Sequence, residues 1–226
     1  MKVGHKKLGL VLGAVAAVAL LPVRADAQFV SYSPVFFSFE GGGGLAIPLG
    51  DLDDVADPGP SVAVGASYFL NPHLALRVEG GVDFLDQGGS APKDVDLQIW
   101  HYLAGLEYVF SDPTSSALFS VDFGAGGTTF DTDVFIVPDG SGGSTTGNFA
   151  QTYFALQGGL KLGYSFAHDS STGVPVATIY VNGDIHVLFA DEGDSALFTE
   201  FSGAGTSGFG TVTVIPITAG IRFNIP

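Results

Sequence analysis

Cysteine is absent from all 226 residues. A chain without thiols has no disulfide staple, no thiolate metal site and no lipid-bearing N-terminal cysteine, so its fold must hold without crosslinks. Basic residues are scarce as well, with 8 Lys and Arg against 23 Asp and Glu. Phosphate binding needs a basic footprint, and that shortage excludes nucleic acid as a partner. Helical membrane spans are missing too. Beyond residue 27 no stretch spaces its apolar residues helically over three turns, and no uninterrupted apolar run approaches the length of about 18 residues that a span requires.

What is there begins with a targeting segment. Lys2, Lys6 and Lys7 precede the apolar stretch Leu8 to Leu21, and the small-residue triplet Ala25-Asp26-Ala27 follows. This is the pattern of a secretory signal peptide, residues 1–27, cleaved after Ala27. Its apolar stretch falls short of the roughly 20 residues of a spanning helix. Residues 28–226 are expected to form one domain, since no Pro-rich linker divides them. Four of the 8 basic residues (Lys2, Lys6, Lys7, Arg24) and one of the 23 acidic ones (Asp26) belong to the signal, which leaves 4 cations against 22 carboxylates. Those carboxylates are either solvated surface or sites for divalent cations.

Past the signal the chain alternates. Leu74, Leu76, Val78, Gly80, Val82 and Phe84 share one parity, while Ala75, Arg77, Glu79, Gly81 and Asp83 share the other, as in a strand with unlike faces. Similar stretches predict eight strands, at 35–47, 61–70, 74–85, 96–110, 117–128, 150–166, 175–189 and 211–225. The even-numbered strands finish alike, in Tyr68-x-Leu70, Tyr108-x-Phe110, Tyr164-x-Phe166 and Phe223-x-Ile225. Each ending puts an aromatic and a second large apolar group on the greasy face just before the chain turns. Around a closed sheet, Tyr68, Tyr108, Tyr164 and Phe223 would form the aromatic ring that a transmembrane β-barrel carries at a membrane interface. The competing reading is a soluble sandwich or lipocalin-type carrier with core aromatics. Links after even strands are short (71–73, 111–116, 167–174), and those after odd strands are long and rich in Gly, Ser, Asp and Thr (48–60, 86–95, 129–149, 190–210). Short periplasmic turns and long extracellular loops show that asymmetry. The expected fold class is therefore all-β, an eight-stranded antiparallel up-and-down transmembrane barrel.

On these features the mature chain resembles the small eight-stranded outer-membrane barrels of Gram-negative bacteria, the OmpA-like and OmpX-like group. The most specific part is Thr218-x-Gly220-x-x-Phe223-x-Ile225, which resembles the signal read by the barrel assembly machinery; such signals usually end on an aromatic, where this chain has Ile225 and Pro226. The stretch FEGGGGLAIPLGDLDD is similar to the family's first strand and loop. The resemblance implies outer-membrane residence among lipid and lipopolysaccharide, a structural or surface-interaction role, and no cofactor. A likeness to OmpW-type barrels implies the alternative of a narrow conduit for small solutes.

With the apolar parity facing lipid, the lumen receives Glu40, Arg77, Glu79, Asp83, Glu107, Asp122, Lys161, Asp184 and Arg222, together with His101, Gln157, Tyr180, Asn182 and His186. Eight strands enclose a bore that their own side chains fill, so a polar plug built as an ion-pair network is expected. An enzyme acting on outer-leaflet lipid would present Ser and His to the bilayer, yet parity turns His101 and His186 inward as ordinary hydrogen-bonding groups. His168-Asp169-Ser170 falls in a turn on the opposite side. No catalytic residue is assigned. The loop LGDLDDVADPG holds Asp51, Asp53, Asp54 and Asp57, weak candidates for a calcium site because they lack the spacing of a calcium loop. With Asp131, Asp133, Asp139, Asp191, Glu192, Asp194 and Glu200, they suggest loose Mg²⁺ or Ca²⁺ bridging to lipopolysaccharide phosphates. Asp139 to Asn148, DGSGGSTTGN, has no Lys and opens no helix, so it reads as a loop and not as a phosphate cradle.

Overall fold

A strand presents one row of backbone donors and acceptors on each edge, and both rows need partners wherever water is excluded. The computed structural model describes residues 37–53, 56–87, 97–138, 144–189 and 211–225, and its strands meet that demand by closing on themselves. Eight long strands run β1 Phe37–Leu49, β2 Gly59–Asn71, β3 Leu74–Gln87, β4 Leu97–Val109, β5 Ala117–Pro138, β6 Ser144–His168, β7 Pro175–Phe189 and β8 Val212–Ile225. Each pairs antiparallel with the next, and β1 returns to β8 in continuous register from Phe37↔Ile225 to Leu49↔Thr213. This is a closed eight-stranded barrel. The signal-peptide segment lies outside the described residues.

Alternation then decides which side chains meet which medium. Val64, Val78, Leu162, Val181, Ile185 and Phe223 stand exposed on the outer wall, whereas Glu40, Arg77, Glu107, Lys161 and Arg222 are buried in the bore. A soluble protein arranges these classes the other way round. Apolar surface on this scale, wrapped round a polar interior, suits hydrocarbon and not water. No helix among the described residues is long and apolar enough to cross a membrane.

The short links are side-chain-locked turns. Asn71 Oδ1 accepts from the amides of His73 and Leu74, both at 2.9 Å. Asp112 Oδ1 accepts from Thr114 N at 2.8 Å and Thr114 Oγ1 at 2.7 Å. Asp169 Oδ1 takes Ser171 N at 2.9 Å and Thr172 N at 2.8 Å, and Gly173 supplies the positive φ of 71° that completes the turn. Hydrogen bonds from the Ser171 hydroxyl, and then from the Thr172 and Ser171 amides, hold the Asp169 carboxyl down to about 2.

Two regions differ from the sequence expectation. β5 and β6 extend far beyond 128 and 150, with pairing that continues to Pro138↔Ser144 past an irregularity between Thr132 and Phe135. β5 stops pairing with β4 at Leu97↔Thr132, and β6 stops pairing with β7 at Phe154↔Phe189. Among the described residues their distal parts pair only with each other, as a hairpin arm beyond the rim. The composition reads as loop there because a two-stranded arm needs no greasy face to hold its backbone ladder. The 48–60 link is likewise ordered in part, with a 3₁₀ turn at Gly50–Leu52 and a two-residue strand, Ala56–Asp57, paired to Asp86 and Gln87.

Val78 lies on the apolar wall midway between the rims. Val78→Arg is expected to destabilise the barrel by about 2–4 kcal/mol in phospholipid vesicles; an unchanged urea midpoint would place this wall outside hydrocarbon. The Asp169 carboxylate should stabilise its turn above the unfolded carboxylate value of about 3.9 and cease to do so as pH falls through about 2. Amide shifts of Ser171 and Thr172 followed by NMR should titrate in that low window, and Asp169→Ala should abolish the transition.

Candidate functional site

The chemistry-bearing side chains converge in the middle of the bore. Glu40 on β1 and Arg222 on β8 are cross-strand partners, and Arg222 Nε donates to Glu40 Oε2 at 2.9 Å. The same guanidinium forks onto Glu107 on β4, with Nη2 at 2.7 Å from Oε1 and 2.5 Å from Oε2. Lys161 on β6 donates to both Glu40 oxygens at 2.8 Å, and its Nζ stands 5.0 Å above the Tyr180 ring. Arg77 on β3 pairs with Glu40 at 2.5 Å and with Glu79 beside it. Glu40 thus serves three cations from three other strands. Hydroxyls that the sequence reading passed over complete the shell: Ser120 Oγ donates to Glu107 Oε1 at 2.8 Å, and Ser67 Oγ to its Oε2 at 3.3 Å. Serine is common in loops as well, so nothing in the sequence marked these two.

Three lumen carboxylates stand apart from the cations. Asp83 accepts from Ser61 Oγ at 2.6 Å, and Asp184 accepts from Gln157 Nε2 at 3.0 Å and Asn182 Nδ2 at 2.5 Å. Asp122 is buried without a hydrogen-bond partner. Among the described residues none of the three forms an ion pair with Arg77, Lys161 or Arg222, so the direct network comprises Glu40, Arg77, Glu79, Glu107, Lys161 and Arg222. The histidines also depart from the expectation of ordinary hydrogen bonding. Both are buried, their rings meet edge-on with centroids 4.8 Å apart, and three of their four ring nitrogens lack partners.

Nor is the bore polar throughout. Toward the long-loop end it is filled by Leu52, Leu85, Ile99, Phe130, Leu188 and Val214 with their neighbours, and toward the short-turn end by Phe69, Ala75 and Val109. Polar residues form a middle layer between two apolar layers. Near the rims apolar residues occupy both parities, as in the adjacent pair Phe84 and Leu85, and the alternation that reveals the lumen elsewhere fades.

Tyr68, Tyr108, Tyr164 and Phe223 share the outer face at the short-turn end; Tyr164 and Phe223 are exposed, while Phe37 packs 5.1 Å from Tyr68 and Phe110 4.8 Å from Tyr108. A second outward group toward the other rim, Phe84, Trp100, Tyr102, Phe154 and Phe189, was not singled out from the sequence because those strands share no common ending there. Aromatics at both edges of an apolar band are the arrangement of a membrane-spanning wall. In the final strand Thr218 is buried in the bore, while Phe223 and Ile225 face out. Gly220 is needed sterically: a Cβ there would stand 2.2 Å from the Gly41 carbonyl oxygen and 2.7 Å from the Tyr180 hydroxyl. Of the loop carboxylates, Asp53 and Asp57 are exposed, Asp51 lies in the 3₁₀ turn, and Asp54 falls outside the described residues. Among the described residues that loop holds no group of three metal-ligating side chains.

Removing one partner of a buried network leaves the others charged and unpaired. Arg222→Ala, which strands Glu40 and Glu107, is expected to cost about 3–5 kcal/mol in urea unfolding. An unchanged midpoint would show that the network carries no stability.

No family model and no curated protein matches this chain. Solved structures do. A major outer membrane protein from Thermus thermophilus superposes with a TM-score of 0.53 at 14% identity, over 85% of this chain and 100% of that one. Neisserial surface protein A gives 0.51 at 15% identity, over 83% and 96%, and OprG from Pseudomonas aeruginosa 0.50 at 12%, over 85% and 96%. At such identities the likeness is one of fold. Together with the apolar wall, the aromatic edges and the polar bore, it gives the chain the fold of the small outer-membrane β-barrels.

Proposed function

We propose that this barrel is a non-catalytic structural and surface-contact protein of the outer membrane, with its bore sealed by its own side chains. The observation that carries the reading is the Glu40 junction, where Arg77, Lys161 and Arg222 reach one carboxylate from three other strands. Apolar packing above and below that layer supports a plug, because an open conduit would need a continuous hydrated path. Catalysis on lipid is disfavoured by the burial of His101 and His186, each only 2% exposed and shielded from the bilayer. The hairpin arm formed by the distal halves of β5 and β6 supports a surface-contact role, since it extends beyond the rim on the long-loop side.

Lipid and lipopolysaccharide are the partners this placement implies. Acidic residues of the long links would meet lipopolysaccharide phosphates through Mg²⁺ or Ca²⁺, which suits an excess of carboxylates over cations. Thr218, Gly220, Phe223 and Ile225 would serve as the contact for the barrel assembly machinery, with Phe223 and Ile225 presented on the outer wall.

Reconstituted in planar bilayers, the protein should show no steady single-channel current. Discrete, reproducible conductance would instead establish a conduit for small solutes.

A further inference from the structure

Three imidazole nitrogens meet no partner at one place in the bore. His101 Nδ1, His101 Nε2 and His186 Nε2 have no hydrogen bond, although both residues are only 2% exposed. Buried nitrogens are normally satisfied, so this cluster points to a bound water or ion, and the geometry around it separates the two. The surroundings limit its nature. His101 Nε2 is 3.8 Å from Glu79 Oε1, and His101 Nδ1 is 3.9 Å from Asp83 Oδ2. Both gaps are too wide for hydrogen bonds.

The first gap fits an ion between its two atoms. Metal–nitrogen and metal–oxygen bonds of about 2.0–2.1 Å hold their ligand atoms roughly 3.3 Å apart at a tetrahedral angle and about 4.1 Å apart in a straight line. The ligand atoms of Glu79, His101 and His186 all lie within 4.8 Å of one another, so side-chain rotations of less than about 1 Å would bring them onto one centre. Asp83, fixed by the Ser61 hydroxyl at 2.6 Å, faces the far nitrogen of His101. The same small shift of the ring onto a metal would bring that nitrogen within hydrogen-bond reach of Asp83, where a carboxylate orients a ligating imidazole and sets its tautomer. Gly81 lies directly across the ladder from His101 and makes room for the ring, since a Cβ at 81 would stand 2.4 Å from Nε2. The charge balance agrees. Among the described residues the bore buries Glu40, Glu79, Asp83, Glu107, Asp122 and Asp184 against only Arg77, Lys161 and Arg222. A divalent cation would offset most of that surplus.

We propose that Glu79, His101 and His186 bind one divalent transition-metal ion of the zinc class inside the barrel, with Asp83 positioning His101. Two imidazoles and a carboxylate suit Zn²⁺, whereas Mg²⁺ and Ca²⁺ prefer all-oxygen sets. The site ties β3 and β4 to β7 on the other side of the bore. Enclosed between apolar layers, it holds a structural ion that enters as the barrel closes.

The test is to refold the full chain from urea into detergent micelles with zinc sulfate, strip loose metal with a chelating resin, and count zinc by mass spectrometry. One zinc per folded chain is expected, and refolding with Co²⁺ should give the visible bands of a low-symmetry site with nitrogen ligands. His101→Gln and His186→Gln should lose the retained ion, and Asp83→Asn should weaken binding about 10–100-fold. Mg²⁺ or Ca²⁺ in excess should not displace it. A folded wild-type barrel that retains no zinc and gives no cobalt bands overturns the proposal, as does undiminished retention by a folded His101→Gln/His186→Gln double variant. Should the double variant fail to fold, judged by heat-modifiable gel mobility, the wild-type cobalt spectrum decides alone.

Discussion

Everything in this molecule follows from the need to pair every backbone amide and carbonyl where there is no water. Hydrocarbon leaves an unpaired strand edge no partner, and a sheet escapes the penalty by closing. Here closure falls on the β1–β8 seam, whose ladder is continuous over thirteen residue pairs. The seam is narrow at its centre. Gly42 and Gly220 face each other across it, and the Tyr180 hydroxyl rests where a side chain at either position would project. Small residues there let Tyr180 reach over the junction from β7.

Closure dictates the placement of charge. Once the sheet is a cylinder, each strand side chain meets either lipid or the bore, and among the described residues three cations and six carboxylates are buried in the bore. Replacing a buried network by well-packed apolar residues is often neutral or stabilising, so net stability is a weak reason for this one. Registry is a better reason. A carboxylate on β1 that must satisfy donors from β3, β6 and β8 is satisfied in one stagger of the strands, and a slipped seam would strand all of them. The apolar layers at either end exclude water from those contacts and so strengthen them.

With its charged groups buried in the bore, the barrel presents its wall and its rims to the surroundings. The wall answers to lipid. The short-turn rim is held by Asn71, Asp112 and Asp169, each accepting hydrogen bonds from the residues that follow it, while the opposite rim carries the hairpin arm of β5 and β6. The paired histidines stand outside this scheme, since neither lipid contact nor the ion-pair layer explains two buried imidazoles edge to edge.

Membership of wall and bore was legible in the sequence, because strand alternation is a property of backbone geometry that each residue obeys locally. Leu76, Arg77, Val78 and Glu79 announce their sides without reference to any other strand. The aromatic endings at Tyr68, Tyr108, Tyr164 and Phe223 were legible for the same reason. Which lumen groups meet was not legible. Lys161 reaches Glu40 over a separation of 121 residues and Arg222 over 182, while Asp122, of the same parity, meets no cation. Those outcomes depend on strand stagger and on how far side chains reach across the bore, which no local pattern records. The meeting of His101 and His186 from β4 and β7, and the ladder that carries β5 and β6 past the rim, were likewise decided only when the cylinder closed.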